Sequence, residues 1–229
     1  MKIGIIGAMS VEVDALKAQI KNLKTTTVSG IEFFEGELLG KDVVVARCGI
    51  GKVFAAICAQ SMILRFGVTH IINTGVGGTL TDKLSILDVA IADGVVQHDM
   101  DTSPIGDLVG LISGINKVVL PTSKSLGDVA ESVAATMGIK AVRGIIASGD
   151  QFISNRDRKQ FIHDTFAAIC SEKEGAAIGH VCYVNGVECL IVRAISDSAT
   201  GDAELEYPEM VARAAAQSQK MIEAIIDKL

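Results

Sequence analysis

Apolar and polar positions alternate along the chain in two rhythms. Short, nearly unbroken apolar runs such as IIGA, VVVAR, HIINTG and CLIVRAIS read as strands covered on both faces. Between them lie segments whose apolar residues recur at helical spacing. The runs predict strands over residues 2–7, 31–39, 42–47, 70–74, 86–96, 141–147, 167–171 and 188–195. Helices are predicted over 10–23, 53–66, 125–137, 155–165, 175–185 and 208–228. The last helix opens at Pro208, where a missing N–H costs nothing, and carries Met210, Ala214, Met221, Ile225 and Leu229 on one stripe. Alternating strands and helices predict an α/β chain in three layers, α/β/α, around a central twisted sheet. No linker-like stretch divides it, so residues 1–229 read as one domain. Residues 97–119 show no period and contain Pro104, Gly106, Gly110 and Gly114, which marks a functional or interface segment.

Composition narrows the functional classes. Of 229 residues, 49% are hydrophobic and 21% charged, which excludes wholesale disorder. A net charge of −6 argues against a nucleic-acid groove and against a polybasic membrane surface. Mean hydropathy is +0.41, yet no uncharged apolar run reaches membrane-spanning length. Glu12 and Asp14 interrupt the first apolar stretch, so it reads as a strand, not a signal peptide, and the expected compartment is the cytoplasm. The five cysteines are odd in number and sit in apolar segments, as buried thiols do. The histidines at 70, 98, 163 and 180 match no metal-binding spacing, and GIIGAM is not a dinucleotide fingerprint, so neither metal nor cofactor is expected.

Ligands of open α/β sheets bind beyond the carboxyl ends of strands, so the polar residues there are the candidates. They are Glu12, the Val76–Gly78 turn, Asp150 with Phe152 and Ile153, Glu172 with Glu174, and Ser196 with Asp197. Taken singly, Glu12 and Glu174 suit helix N-termini, and Asp197 suits a turn or cap. Taken together, several carboxylates at one sheet edge raise one another's pKa, so that one stays protonated near neutrality. One acid and one base serve hydrolysis through a cationic transition state.

Several motifs add a family to this reading. MKIGIIGAMSVEV at the start, GIGK at 49–52, INTG at 72–75, HDMD at 98–101, SGDQFI at 148–153, EKEG at 172–175 and RAISDSA at 193–199 occur in one order. In that order they resemble the 5′-methylthioadenosine/S-adenosylhomocysteine nucleosidases of the purine nucleoside phosphorylase superfamily. The resemblance implies a mixed central sheet and a homodimeric hydrolase that releases adenine from methylthioadenosine and S-adenosylhomocysteine. It implies Asp197, held by Ser196, as the acid at adenine N7, and Glu12 as the base on water, with Arg193 beside it. Glu174 would hold the ribose hydroxyls, with Glu172 and Lys173 next to it. Phe152 would stack on adenine and the Ile153 backbone would read its edge. Val76 and Gly78 would be substrate-binding, and Met9, Ile50 and Tyr207 would line the alkylthio pocket. Pro104 and Ile105 would reach that pocket from the other subunit. Two positions depart from the family pattern. Lys173 stands where a methionine is usual, free to snorkel to water or to set its ammonium beside Glu172 and Glu174. Val76 stands where a small hydroxyl residue is common. A phosphorylase, with Arg47 as phosphate ligand, is the nearest rival on the same fold. A nucleoside-binding protein without turnover is the rival from another class. Arg47 reads otherwise as a surface ion-pair residue.

Overall fold

In the computed structural model, residues 1–197 and 207–229 are described, with side chains of the last helix described from residue 210 onward. The strands are β1 (Lys2–Gly7), β2 (Lys21–Val28), β3 (Ile31–Leu38), β4 (Lys41–Arg47), β5 (His70–Asn73), β6 (Val76–Thr79), β7 (Val89–Gln97), β8 (Leu120–Pro121), β9 (Ala141–Ser148), β10 (Ala168–Glu172) and β11 (Glu188–Asp197). The helices are α1 (Ser10–Lys17), α2 (Lys52–Phe66), α3 (Lys124–Thr136), α4 (Arg156–Phe166), α5 (Gly175–Asn185) and α6 (Tyr207–Lys228).

The strands form one mixed sheet in the order β2-β3-β4-β1-β5-β11-β6-β10-β9-β7-β8. β11 belongs to both halves. Its first residues run parallel to β5, and its later ones run parallel to β6 and antiparallel to β7. The extra β11–β7 pairing curls the second half of the sheet back on itself. β11 is apolar on both faces because it is enclosed by neighbours on each side and by helices above and below.

Side-chain alternation on β1 shows the layering. Ile3 and Ile5 pack with α1, α3 and α6 through Leu16, Val133 and Ile225, whereas Ile6 faces α2 and α5 through Ala55 and Ile178. A third cluster, with Ile153, Ile162 and Phe166, seats α4 against β9 and β10. All five cysteines are buried.

The sheet departs from the sequence reading at its rims. The helix expected over 10–23 stops at Lys17, and β2 comes after it. Almost every residue of β2 faces solvent, so its pattern carries no buried period, and it joins β3 through a turn with Ser29 and Gly30 at φ 52° and 78°. β6, VGGT, lacks a side-chain signal. The strand expected over 86–96 begins at Val89, because Leu87 takes a left-handed backbone, φ 71°. Within 97–119 the chain makes a single 3₁₀ turn, Ser103–Ile105, and an isolated bridge between Ile112 and Lys117.

Candidate active site

The carboxyl ends of β1, β6, β10 and β11 meet around an open cavity of about 100 Å³. Glu12, Glu172, Glu174 and Asp197 all line it. So do Met9, Ile50, Val76 and Gly78, together with Phe152, Ile153, Lys173 and Ser196. Candidates from all five of the expected segments are therefore brought to one place, Asp150 excepted.

Glu12 stands in the first turn of α1 and is 3% exposed. Its Oε2 accepts the backbone N–H groups of Ala8 and Met9 at 2.7 and 2.9 Å, and Oε1 accepts that of Val76 at 3.3 Å. It thus caps its own helix while facing the cavity. Burial pushes its carboxyl above the ordinary range, against the pull of those N–H groups and of Arg193. Gly75 is required beside it, because a Cβ there would fall 2.8 Å from Glu12 Oε1.

Glu172 ends β10 and is saturated with donors. Ser148 Oγ and Arg193 Nη2 both donate to it, as do the backbone N–H groups of Glu174 and Gly175 at 2.8–3.0 Å. Burial opposes its charge, but Arg193, Ser148 and those N–H groups outweigh burial and hold its carboxyl below the ordinary range. Arg193 is anchored in turn by the Asn73 side chain and by the Asn73 and Val192 carbonyls. Glu174, at the start of α5, accepts the Gly51 N–H at 2.9 Å. Burial and then the neighbouring Glu172 charge push its carboxyl up to about 7. One glutamate is therefore fixed as an anion, while its neighbour titrates near neutrality.

Asp197 closes β11 at the opposite wall. Ser196 Oγ donates to its Oδ1 at 3.2 Å, and Lys159 Nζ donates to its Oδ2 at 3.2 Å. Gly78 lets β6 approach, since a Cβ there would lie 2.7 Å from Asp197 Oδ2.

The aromatic wall is Phe152, half exposed, with Ile153 buried behind it. The Lys173 ammonium sits 5.6 Å from the Phe152 ring centroid, a cation–π distance, instead of pairing with Glu172 or Glu174.

Other expected residues fall elsewhere. Pro104 and Ile105 lie on the exposed 3₁₀ turn and do not line this chain's cavity. Tyr207 begins α6, and its side chain lies outside the described residues. Arg47 ends β4 outside the cavity. It donates to Ser10 Oγ at 2.7 Å, so it is held by a hydroxyl where a surface ion pair was expected. The HDMD, GIGK and SGD motifs turn out to brace one another. Lys52 pairs with Asp99 at 2.6 Å, and the Lys52 N–H donates to Asp150 at 2.8 Å. No group of three or more His, Cys, Asp or Glu side chains able to hold a metal ion occurs among the described residues.

The sequence reading missed Ser148, Asn73 and Lys159 as parts of the site. Ser148 and Asn73 stand inside the SGDQFI and INTG motifs but showed their roles only through contacts with neighbouring strands that are far away in sequence. Lys159 carried a readable signal, because it shares the buried face of α4 with Ile162 and Phe166 at helical spacing.

Residues 2–227 match the family model of the phosphorylase superfamily. The 5′-methylthioadenosine/S-adenosylhomocysteine nucleosidase of Shewanella halifaxensis is 38% identical over 230 residues, covering 100% of both chains. The enzyme of the same name from Shewanella frigidimarina is 39% identical over 231 residues, again covering 100% of both. Among solved structures, a Helicobacter pylori nucleosidase mutant with 5′-methylthioadenosine in its active site superposes with a TM-score of 0.95 at 36% identity, covering 100% of this chain and 99% of that one. A Helicobacter pylori structure described as futalosine hydrolase gives 0.94 at 36% identity, covering 100% and 98%.

Proposed function

Because the chain belongs to the phosphorylase superfamily and, within it, to the 5′-methylthioadenosine/S-adenosylhomocysteine nucleosidases, we propose that it is an N-glycosyl hydrolase. It cleaves the bond between adenine and the 5′-thio-substituted ribose of those two nucleosides. The observation that carries this reading is the convergence of Glu12 and Asp197 on one cavity, each with different partners.

In the proposed reaction the purine lies against Phe152 and the Ile153 backbone, with its N7 toward Asp197. Asp197, acting as the acid, gives a proton to N7 as the C1′–N9 bond breaks and the bond's electrons pass to the purine. Protonation is needed because an unprotonated purine leaves poorly. The sugar becomes oxocarbenium-like, and the carboxylates around it stabilise that charge. Water on Glu12 attacks C1′, its oxygen bonding to carbon and its proton passing to the glutamate. Asp197 ends ionised and Glu12 ends protonated, so proton exchange with solvent resets both. The raised carboxyl of Glu12 makes it a stronger base toward water than an ordinary glutamate. Glu174 accepts from the ribose hydroxyls, and Met9 and Ile50 give the thioether an apolar wall. A lysine at 173 adds positive charge to the cavity wall beside Phe152, which opposes a cationic transition state.

A phosphorylase would need cations free to hold phosphate. Arg193 is engaged by Glu172 and Asn73, Arg47 lies outside the cavity, and the cavity wall carries the Glu12 carboxyl where a phosphate would need a cation. The test is adenine release from methylthioadenosine with and without phosphate. Equal release, with free methylthioribose as co-product, is expected; dependence on phosphate would overturn the hydrolase. A futalosine-type nucleoside belongs in the same assay, given the structural match to a protein described as acting on one.

We also infer a homodimer. Supporting it are exposed apolar residues on α2, namely Val53, Phe54, Ile57 and Leu64, next to Tyr183 and Val184 on α5. Ile105, 83% exposed, and Leu108 project from the 97–119 segment as residues to insert into a partner. Chromatography at the 24.0 kDa monomer mass would sink this. The whole chain reads as one domain. No helix among the described residues is long and apolar enough to cross a membrane, and buried thiols suit the reducing cytoplasm.

A further inference from the structure

Beside the active-site cavity runs a wider, open groove of about 720 Å³. Ala8, Met9 and Ile50 line both, so the wall that faces the thioether continues from one into the other. The groove carries both signs of charge. Helix α1 lines it with Ser10, Asp14 and Lys17, which share one face of the helix. Glu32 on β3 and Arg47 at the end of β4 line it as well.

Arg47 Nη1 donates to Ser10 Oγ at 2.7 Å, and Ser10 directly follows Met9. The guanidinium is therefore held beside the thioether wall, with further N–H groups left to donate. In the β3–β4 ladder Phe33 lies opposite Ala46, so Glu32 comes next to Arg47. Both are exposed, and among the described residues neither stands within ion-pair distance of an opposite charge. Lys17, by contrast, lies over the Phe34 ring, 3.7 Å from its centroid.

We propose that this groove binds the α-amino-acid end of S-adenosylhomocysteine, with Arg47 on its carboxylate and Glu32 toward its ammonium. Arg47 is then a specificity-determining residue that methylthioadenosine does not use. The proposal rests on the nucleosidase reading and deepens it. The two nucleosides differ only beyond the 5′ sulfur. One ends there in a methyl group, which the wall of Met9 and Ile50 suffices to cover. The other continues through two methylenes to a carbon that bears an ammonium and a carboxylate. That tail must leave the apolar wall, and the groove is the space into which the wall leads. Its two charges sit on one carbon, and Arg47 and Glu32 offer the two complementary charges side by side. A guanidinium suits the carboxylate, because its planar fork can donate two parallel N–H bonds. The exposure of both residues keeps the gain modest and sensitive to salt. Phe54, on the apolar face of α2, also borders the groove, so a second copy of this chain is the competing occupant.

The test compares S-adenosylhomocysteine, methylthioadenosine and 5′-butylthioadenosine, whose tail is long but uncharged, in wild type, Arg47→Gln and Arg47→Lys. In Arg47→Gln, kcat/KM for S-adenosylhomocysteine should fall about 3- to 30-fold, through KM with kcat held. The two nucleosides with uncharged tails should keep their wild-type values. Arg47→Lys should recover most of the loss, and Glu32→Gln should lower the S-adenosylhomocysteine value too. Added salt should raise KM for S-adenosylhomocysteine more in wild type than in Arg47→Gln. An Arg47→Gln that treats all three nucleosides alike, by no change or by uniform loss, overturns the proposal. An unchanged or higher value in Glu32→Gln overturns the placement of the ammonium. Loss of a dimer in Arg47→Gln, seen by chromatography, would give the groove to the partner subunit and overturn it as well. A wild type that releases no adenine would overturn the proposed activity. Calorimetric binding would still decide the groove. Tighter binding of S-adenosylhomocysteine to wild type than to Arg47→Gln, with 5′-butylthioadenosine bound equally by both, supports it; any other pattern overturns it.

Discussion

Asp197→Asn lowers kcat for adenine release about 10²- to 10⁴-fold, the range expected when a general acid is removed. Adenine affinity stays near wild type. The amide has the carboxyl's shape, and its oxygen can still accept from Ser196 Oγ, which lies 3.2 Å from Oδ1. What it lacks is a proton to give. Stopped assays give kcat and calorimetry gives adenine affinity. A kcat within tenfold of wild type would remove Asp197 from the acid's role. Loss of adenine binding together with turnover would make it a binding residue instead.

The centre of the sheet was legible because buried parallel strands must be apolar on both faces, and β1, β4, β5 and β11 are. Its rims were not. β2 spends its length in solvent, and its threonines and lysines give no period. In the helix expected over 10–23, Ile20 and Leu23 continue an apolar spacing that the backbone abandons after Lys17. β6 is nearly all glycine and valine because neighbours press on it: Cys170 Sγ crowds Gly77 and Asp197 crowds Gly78. In the site, the acids could be found by looking just past the carboxyl end of each apolar run. Their partners could not, because Ser148, Asn73 and Lys159 reach the site from β9, β5 and α4. Lys173 shows the same limit. The sequence left its ammonium between water and two glutamates, and the structure sets it over Phe152.

Glu12→Gln separates the two duties that Glu12 combines, capping α1 and acting as base. A glutamine oxygen can still accept the Ala8 and Met9 N–H groups that Oε2 accepts at 2.7 and 2.9 Å. It cannot take a proton from water. Turnover should therefore fall about 10²- to 10⁴-fold while the helix start survives. The direction of the shift gives the sign of the stability change. Burial raises the Glu12 carboxyl above its ordinary 4.5 in the folded chain, so the folded state holds this proton more tightly than the unfolded state does. Stability from this group is greatest below 4.5 and is lost as pH rises through the folded value. A neutral glutamine has no such loss. The Tm of Glu12→Gln relative to wild type should therefore climb as pH rises from about 4.5 toward 8. A variant that is inactive yet gains stability with pH in this way marks Glu12 as a catalytic group held at a cost to the fold. A variant that keeps its activity but melts earlier at every pH marks it as a cap alone, and the base would then have to be sought in Glu174, whose carboxyl titrates at about 7 on the same cavity.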